Sequence, residues 1–413
     1  RYDRVVRMIE ESEKLKSTTE SKAAHLADSL VPYSLGATAL IWLLTRNVNK
    51  ALAVLMVDFS CALKLSMPIA VLSAMRESSG HNVSVKGGRF LEAVAAANTI
   101  VFDKTGTLTY ATPTVAQVVP FGGREESEML RLAACLEEHY PHSIANAVVE
   151  EAKRRGLSHE EYHSQVQYVV AHGISSMVEG KKVLIGSAHF VFEDEGCTIP
   201  EGEQEKFDSL PAQYSHLYLC IAGELAAVIC IYDPLRAEAK DAIRALHACG
   251  ISKVVMMTGD NRRTAASVAE EVGVDEFYAE VLPEDKAAFI RREKAAGRTV
   301  IMIGDGVNDS PALSEADAGV AISTGAAIAR EIADITIASE DLFELVTLRK
   351  ISEALMGRIH RNYRFIVGFN LGLIVFGVAG LLPPTTSALL HNASTLAISL
   401  KSMTNLLPDK KKI

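Results

Sequence analysis

The chain lacks paired cysteines, a sustained basic stripe and an apolar leader, and each absence removes a class of protein. Its six cysteines, Cys61, Cys135, Cys197, Cys220, Cys230 and Cys249, are scattered with no Cys-x-x-Cys pair. Neither a zinc ribbon nor a disulfide framework is expected, and a reducing cytosol fits. A formal net charge of −9 with few clustered basic residues, Lys410 to Lys412 apart, argues against nucleic acid as the main partner. Residues 1–28 are charged and carry no apolar h-region, so no signal peptide is expected there. Disorder is excluded too: 48% hydrophobic content over 413 residues can bury more than one core and suggests two or three domains.

What is present centres on residues 101–109, Val-Phe-Asp-Lys-Thr-Gly-Thr-Leu-Thr. Apolar residues run into Asp103 as in a buried parallel strand, and a Lys/Thr/Gly loop follows at once. That pattern places the carboxylate at a strand's C-terminal edge, where open α/β sheets bind ligands. A carboxylate there, with Lys104 and loop N–H groups around it, can attack a phosphoryl group and hold it as an aspartyl phosphate. From residue 233 to about 340 strand-like and helical segments alternate: Val254–Met257, Thr264–Val272, Phe277–Glu280, Glu284–Ala296, Thr299–Ile303 and Ser310–Ala316. This reads as the second half of a doubly wound sheet, with Asp103, Thr258 and Asp305 brought to one edge. Between about 111 and 231 the chain departs from that pattern, helical first and strand-like later, as an inserted domain would.

Long apolar stretches lie outside this region. Residues 29–45 and 51–75, split by Arg46 to Lys50, read as a membrane hairpin, and 365–383 with 387–407, split by Pro383-Pro384, as another. Asp58 and Cys61, three apart, share one helical face and form a candidate cation site; Cys61 as a small packed hydrophobe is the alternative. Lys64 either snorkels to an interface or neutralises Asp58.

The nine residues around Asp103 carry the phosphorylation motif of the P-type ATPases, and Thr258-Gly259-Asp260-Asn261 and Gly304-Asp305-Gly306-Val307-Asn308-Asp309-Ser310-Pro311 resemble the two later motifs of the same domain. The resemblance covers essentially the whole chain, and Cys61-Ala62-Leu63-Lys64-Leu65 looks like the heavy-metal-transporting branch. It implies a haloacid-dehalogenase-like α/β phosphorylation domain, an inserted α+β nucleotide-binding domain and transmembrane helices. The expected order is a stalk helix (1–28), a transmembrane hairpin (29–76), the phosphorylation domain (77–110 and 232–345) and the nucleotide-binding domain (111–231). A stalk (346–364), a second hairpin (365–408) and a cytosolic tail (409–413) complete it.

The resemblance also implies roles. Asp103 is the nucleophile, Lys286 the cation beside it, and Thr258 and Asn308 contact the phosphoryl oxygens. Asp305 and the Thr105 carbonyl bind Mg²⁺, with Asp309 supporting them or Lys286. Glu137, His142 and Gly173, together with Thr105, Gly259 and Asp260, contact ATP; His139 is the rival to His142. Asn370 on one late span and His391, Asn392, Ser394 and Thr395 on the other join Asp58 and Cys61 as positions for a transported transition-metal cation.

Three departures matter. Phe59 and Ser60 stand where the branch has the first Cys and the Pro of Cys-Pro-Cys, which removes one soft thiolate and the helix-breaking proline. Thr105 stands where related phosphatases place a second Asp as general acid and base, so the aspartyl phosphate should persist. No Thr-Gly-Glu occurs, so the actuator domain is expected elsewhere in a longer chain or on a partner. The expectation is a multi-pass protein of the cell membrane with its catalytic domains in the cytoplasm, using ATP and Mg²⁺ to move a metal cation. A membrane-tethered phosphotransferase or phosphatase and a non-pumping regulatory homologue are the alternatives.

Overall fold

A computed structural model of the chain describes residues 15–110, 112–138, 143–157, 163–169, 173–305, 309–322, 331–339 and 341–408. The chain opens with helices α1 (Thr18–Thr45), α2 (Val48–Leu55) and α3 (Phe59–Ser79), then strand β1 (Val83–Val85) and α4 (Gly88–Ala96). Next come β2 (Thr99–Asp103), β3 (Thr114–Pro120), α5 (Glu126–Glu137), α6 (Ser143–Arg154), β4 (His163–Val169), β5 (Gly173–Val178) and β6 (Lys181–Gly186). They are followed by α7 (Gln204–Asp208), β7 (Ser215–Ile221), β8 (Glu224–Tyr232), α8 (Ala239–Ala248), β9 (Lys253–Met257), α9 (Arg262–Val272) and β10 (Glu276–Tyr278). The chain ends through α10 (Pro283–Ala295), β11 (Val300–Gly304), α11 (Ser310–Glu315), β12 (Ala318–Ile322), β13 (Ile335–Ile337), α12 (Phe343–Val378) and α13 (Pro384–Ser402). Two compact units result: residues 98–333 with 340–342, and the remainder.

The larger unit holds the parallel run β12-β11-β2-β9-β10. Every residue of β2, β11 and β12 is buried, which is why these strands are continuous apolar runs. Phe289 and Ile290 of α10 and Ala312 and Leu313 of α11 pack on Val101, Val255, Met257, Val300 and Met302. Inserted after β2 is an antiparallel sheet, β3-β8-β7-β6-β5-β4. Thr114 pairs with Tyr232, so the chain enters and leaves this sheet side by side. On β7, Leu217 and Leu219 join a core with Leu130, Leu136 and Val148 of α5 and α6, while Tyr218 and Cys220 face an aromatic cluster with Phe121 and Phe190. That is the period of two expected of a strand covered on both faces.

The smaller unit is helical, with β1 and β13 as an antiparallel pair, Val83 opposite Ile337. Among the described residues, one segment, Val48–Ser79, is long and apolar enough to cross a membrane. The other three expected spans fall on α1, α12 and α13, which carry outward-facing apolar side chains such as Leu44, Leu371, Val375, Leu389 and Leu396.

Several expectations change here. Residues 51–75 do not form one helix: the backbone breaks at residues 56–58, between α2 and α3. The cause is Asp58, which caps α3 by accepting from Ser60 N (2.8 Å) and Cys61 N (3.3 Å). The break that a proline would impose is therefore made by an aspartate. Lys64 pairs with Asp28 of α1 and not with Asp58. α1 runs unbroken through position 28, and α12 runs unbroken through position 364, so neither expected junction of stalk and span interrupts a helix.

Candidate active site

The parallel register assembles the site. Asp103, the last residue of β2, sits opposite Met257, and Phe102 sits opposite Ile303. Thr258 and Asp305 therefore leave β9 and β11 at the edge where Asp103 leaves β2. Beyond Asp103 the chain turns through Lys104–Leu108, held by Thr109: its N–H donates to the Lys104 carbonyl (3.2 Å) and its hydroxyl oxygen accepts from Gly106 N (2.9 Å).

Lys286 comes from the first turn of α10, where Pro283 and the Asp285 carboxylate, accepting from Leu282 N, start the helix. Its ammonium donates to Asp103 Oδ1 (2.5 Å) and to Asp309 Oδ1 (2.7 Å), and all three side chains are buried. Burial pushes the Asp103 carboxyl up to about 6 against the pull of Lys286, with Asp309 adding to the rise. Burial raises Asp309 in the same way, with Asp305 contributing. Lys286 is held well above the ordinary lysine value: burial would lower it, but Asp103 and then Asp309 more than offset that. One ammonium thus bridges two buried carboxylates, with Asp305 adding negative charge beside Asp309.

A second buried network lies beside the first. Lys104 turns away from Asp103 to pair with Asp260 and to donate to Ser215 Oγ (2.9 Å). Thr258 Oγ1 donates to the same Asp260 Oδ2 (3.0 Å). Burial opposes charge on both Lys104 and Asp260, and their mutual attraction wins: Lys104 is raised and Asp260 lowered. Asp260 is therefore occupied by protein partners. Ser215, at the start of β7, was not singled out by the sequence, since a Ser opening a strand carries no local signal for a partner 111 residues away. His216 was missed for the same reason. Its Nε2 donates to Pro211 O (3.0 Å), leaving Nδ1 to accept from Asn261 Nδ2 (3.2 Å).

These groups line a cleft of about 370 Å³ that contains Asp103, Thr105, Thr258, Gly259, Asp260, Lys286 and Asp305 at one end and Glu137, Gly173 and Ser187 at the other. The volume suits a small-molecule ligand. Gly173 is required by packing alone: a Cβ there would meet Ile185 O at 2.4 Å and the Phe190 ring at 2.6 Å. A Cβ at Gly304 would likewise strike Asp309 Oδ2 at 2.4 Å. That oxygen is buried without a hydrogen-bond partner, next to a surplus of carboxylates over ammonium, an environment suited to a hard divalent cation. His139, His142 and Asn308 lie outside the described residues.

In the helical unit the candidate ion positions fall into two contacts. Cys61 N donates to Asp58 Oδ2 (3.3 Å), and His391 Nδ1 lies 3.1 Å from Asn370 Oδ1. Asn392 instead faces outward, and Ser394, half-buried, donates back to His391 O (2.8 Å). Among the described residues no three His, Cys, Asp or Glu side chains converge as a metal centre.

An aspartate at a parallel strand end, bonded to a buried lysine and opening on a cleft shared with an inserted sheet, sits where a doubly wound α/β fold places its active site. The chain belongs to the haloacid dehalogenase-like hydrolase family, whose description matches residues 97–317. Within it the chain resembles the heavy-metal P-type ATPases. It is 34% identical over 398 residues to the manganese-exporting P-type ATPase of Mycobacterium tuberculosis, covering 96% of this chain and 55% of that protein. A zinc-transporting PIB-type ATPase solved in the E2·Pi state matches with TM-score 0.63 and 28% identity over 97% of this chain and 66% of its own. The catalytic domain of the CPx-ATPase CopB-B, solved in a study of nucleotide binding, matches with TM-score 0.55 and 30% identity over 67% of this chain and 98% of its own. The chain spans about half the length of the curated relatives it matches.

Proposed function

We propose that this chain is the catalytic and C-terminal membrane portion of an ATP-driven transition-metal exporter that works through an acyl phosphate on Asp103. The observation that carries the reading is the Asp103–Lys286 contact of 2.5 Å at the mouth of a cleft reaching Glu137 and Gly173. The adenine end of ATP lies against Glu137 and Gly173, with His142 as the expected imidazole partner. The γ-phosphate lies against Asp103, Thr258 and Lys286, with Gly259 and Asp260 beside it and Asn308 as the further expected donor. An Asp103 carboxylate oxygen attacks the γ-phosphorus, the bond to the bridging oxygen breaks, and ADP departs with the electron pair. Lys286 offsets the charge that gathers on the phosphoryl group and keeps Asp103 oriented.

Asp305 and the Thr105 carbonyl, backed by Asp309, would hold Mg²⁺; when bound it screens the phosphates and stabilises the charge in transfer. A site with few protein carboxylates, completed by substrate phosphates, is the usual arrangement for this ion. Thr105 supplies no proton-transferring carboxylate, so the aspartyl phosphate outlives the transfer. Its hydrolysis depends on an actuator domain of the same longer chain or of a partner.

The helical unit is read as a multi-pass membrane domain, two hairpins with the catalytic unit on the cytoplasmic side, and Asp58, Cys61, Asn370 and His391 as the ion positions. One thiol, one carboxylate, an amide and an imidazole are borderline ligands suited to a divalent transition metal. Phe59 and Ser60, in place of the first Cys and the Pro of Cys-Pro-Cys, favour one second reading, a non-pumping regulatory homologue. Acid-stable labelling by γ-labelled ATP, across a panel of metals and with Asp103→Asn as control, separates them. Labelling that needs Asp103 and rises with one metal supports the pump; labelling indifferent to every metal supports the regulator. Labelling that persists in Asp103→Asn removes the nucleophile assignment.

A further inference from the structure

The first turn of α9 grips the stretch that leads into β7. Arg263 donates to Asp208 O (2.7 Å) and Leu210 O (3.2 Å), and Thr264 Oγ1 donates to Tyr214 O (2.8 Å). These three bonds end on backbone carbonyls, so they do not depend on which side chains the stretch carries. Two further links join side chain to side chain: Lys104 to Ser215, and Asn261 to His216. Of the groups in this clasp, His216 is the one whose ordinary titration lies close to neutral pH.

The direction of each hydrogen bond at His216 is forced. Asn261 caps α9: its Oδ1 accepts from Thr264 N (3.0 Å), which leaves the amide Nδ2 to meet the ring. The ring atom it meets is Nδ1, 3.2 Å away, which must therefore be an unprotonated acceptor, while Nε2 carries the proton toward Pro211 O (3.0 Å). A proton on Nδ1 would set two donors against each other, and turning the Asn261 amide over to relieve them would cost the cap. The other acceptor within reach is Tyr218 Oη, 3.4 Å from Nδ1, and a bond made there abandons Asn261. The charged groups acting on the ring are Asp260, itself paired with Lys104, and Arg263, while Glu280 and Lys286 line the same cleft. Burial holds the imidazole below its ordinary value of 6.5 against the pull of Pro211 O and Asp260, with Arg263 adding to the drop. The ring is thus neutral at pH 7 and takes a second proton in acid, where the Asn261 contact fails.

We propose that His216 is a positioning residue and a proton switch: neutral, it fastens β7 to the start of α9 and holds the Thr258–Asn261 loop in place for phosphoryl transfer; protonated, it lets go. The inference rests on the phosphoryl-transfer reading of the cleft and adds to it a regulating group on the inserted sheet. The loop is anchored at one end by Thr258 N donating to Tyr278 O (3.0 Å) and at the other by Asn261. Between these anchors lie Gly259 and Asp260, whose carboxylate accepts from Thr258 Oγ1, so a loosened Asn261 lets that pair drift. Glu137 and Gly173 lie at the far end of the cleft, so the rate of transfer should depend on the clasp much more than ATP affinity does.

The test is the rate of phosphoenzyme formation from ATP by the full chain between pH 5.5 and 8, with amide hydrogen exchange of the same proteins as a second measurement. His216→Ala should slow labelling at pH 7.5 by about three- to ten-fold, the worth of one hydrogen bond, while equilibrium ATP binding changes less than about two-fold. His216→Asn sets an amide oxygen where Nδ1 stood, an acceptor that takes no proton. It should recover most of the rate at pH 7.5 and outpace the parent by about three-fold at pH 5.5. Asp103 titrates in both proteins, so the ratio of their rates isolates His216. A ratio that stays flat across the series overturns the switch, and parental labelling by His216→Ala overturns the positioning role. Hydrogen exchange, corrected for the intrinsic effect of pH, needs no ATP. Residues 214–218 and 261–266 should lose protection in the parent between pH 7.5 and 5.5 but keep it in His216→Asn; equal loss in both counts against the clasp. If no protein is labelled at any pH, the phosphorylation reading fails and exchange alone decides the clasp.

Discussion

The two units bury polar groups in opposite ways. In the catalytic unit Lys286 binds two carboxylates and Lys104 binds Asp260 and Ser215, so both buried lysines among the described residues are spent on partners within the protein. In the helical unit Ser66, Ser387 and Ser399 are left without partners. The first arrangement is preorganised: charge and orientation are set before a substrate arrives, which is what transfer of a charged group requires. The second leaves enclosed hydroxyls unpaired, which costs stability unless a polar partner reaches them. The difference lies in charge: the buried lysines of the catalytic unit are paired, whereas the unpartnered side-chain atoms of the helical unit are mostly serine hydroxyls, and Asp309 Oδ2 is the open acceptor beside the paired lysine.

The comparison breaks most visibly at Lys286. Lys286→Met should lower phosphoenzyme formation by about 10²-fold or more, because the transferring phosphoryl group loses its cation. It should also destabilise the catalytic unit by about 3–5 kcal/mol, since Asp103 and Asp309 are left as buried carboxylates facing one another. Adding Asp309→Asn should restore part of the melting temperature and none of the labelling. If the single variant melts like the parent, the network is not preorganised as described.

A pH series sharpens the same point. The Asp103 carboxyl stands at about 6 in the folded chain against 3.8 as its ordinary value. Between those values the folded state binds the extra proton, so this group's contribution to stability grows as pH falls and shrinks as pH rises through about 6. The nucleophile needs the ionised form, so labelling should move the other way, declining as pH drops below about 6. Labelling rates and melting temperatures taken from pH 5 to 8 should therefore diverge; parallel curves would mean that Asp103 is not the titrating group.

The smallest effect is expected at the open end of the comparison. Cys61→Ala should weaken metal stimulation of labelling several-fold while leaving basal labelling intact. Unchanged stimulation would assign Cys61 to packing and move the ion positions to Asp58, Asn370 and His391.

Much of the catalytic edge was legible because each strand announces itself: an apolar run ends on Asp103, Thr258 or Asp305, and parallel pairing then aligns three run-ends without further information. Lys286 was legible only through resemblance, since a lysine following Pro-Glu-Asp is otherwise an ordinary helix start. The Lys104–Asp260–Ser215 network was not, because its members come from three strands' ends and spacing along the chain carries no record of which polar groups meet. The break ahead of α3 was written in the sequence but misread. Asp58 followed by Phe-Ser-Cys is an N-cap, and attention to its charge hid its capacity to hold two backbone N–H groups. The long α1 and α12 were cut short for a similar reason: a fall in hydropathy marks a change of surroundings, and the backbone has no cause to stop there.

The insertion after β2 has a consequence for how the protein is made. Asp103 leaves the ribosome about 150 residues before β9 and about 200 before β11, the strands that flank it; at about 5–20 residues per second the gap is of order ten seconds or more. During that interval β2 is an apolar strand with both edges bare, while the inserted sheet, whose first and last strands pair with each other, can close by itself. Asp103 is thus synthesised well before the strands that enclose it. Synonymous changes that slow or speed translation between residues 232 and 304 should alter yield more than the same changes placed within 343–402.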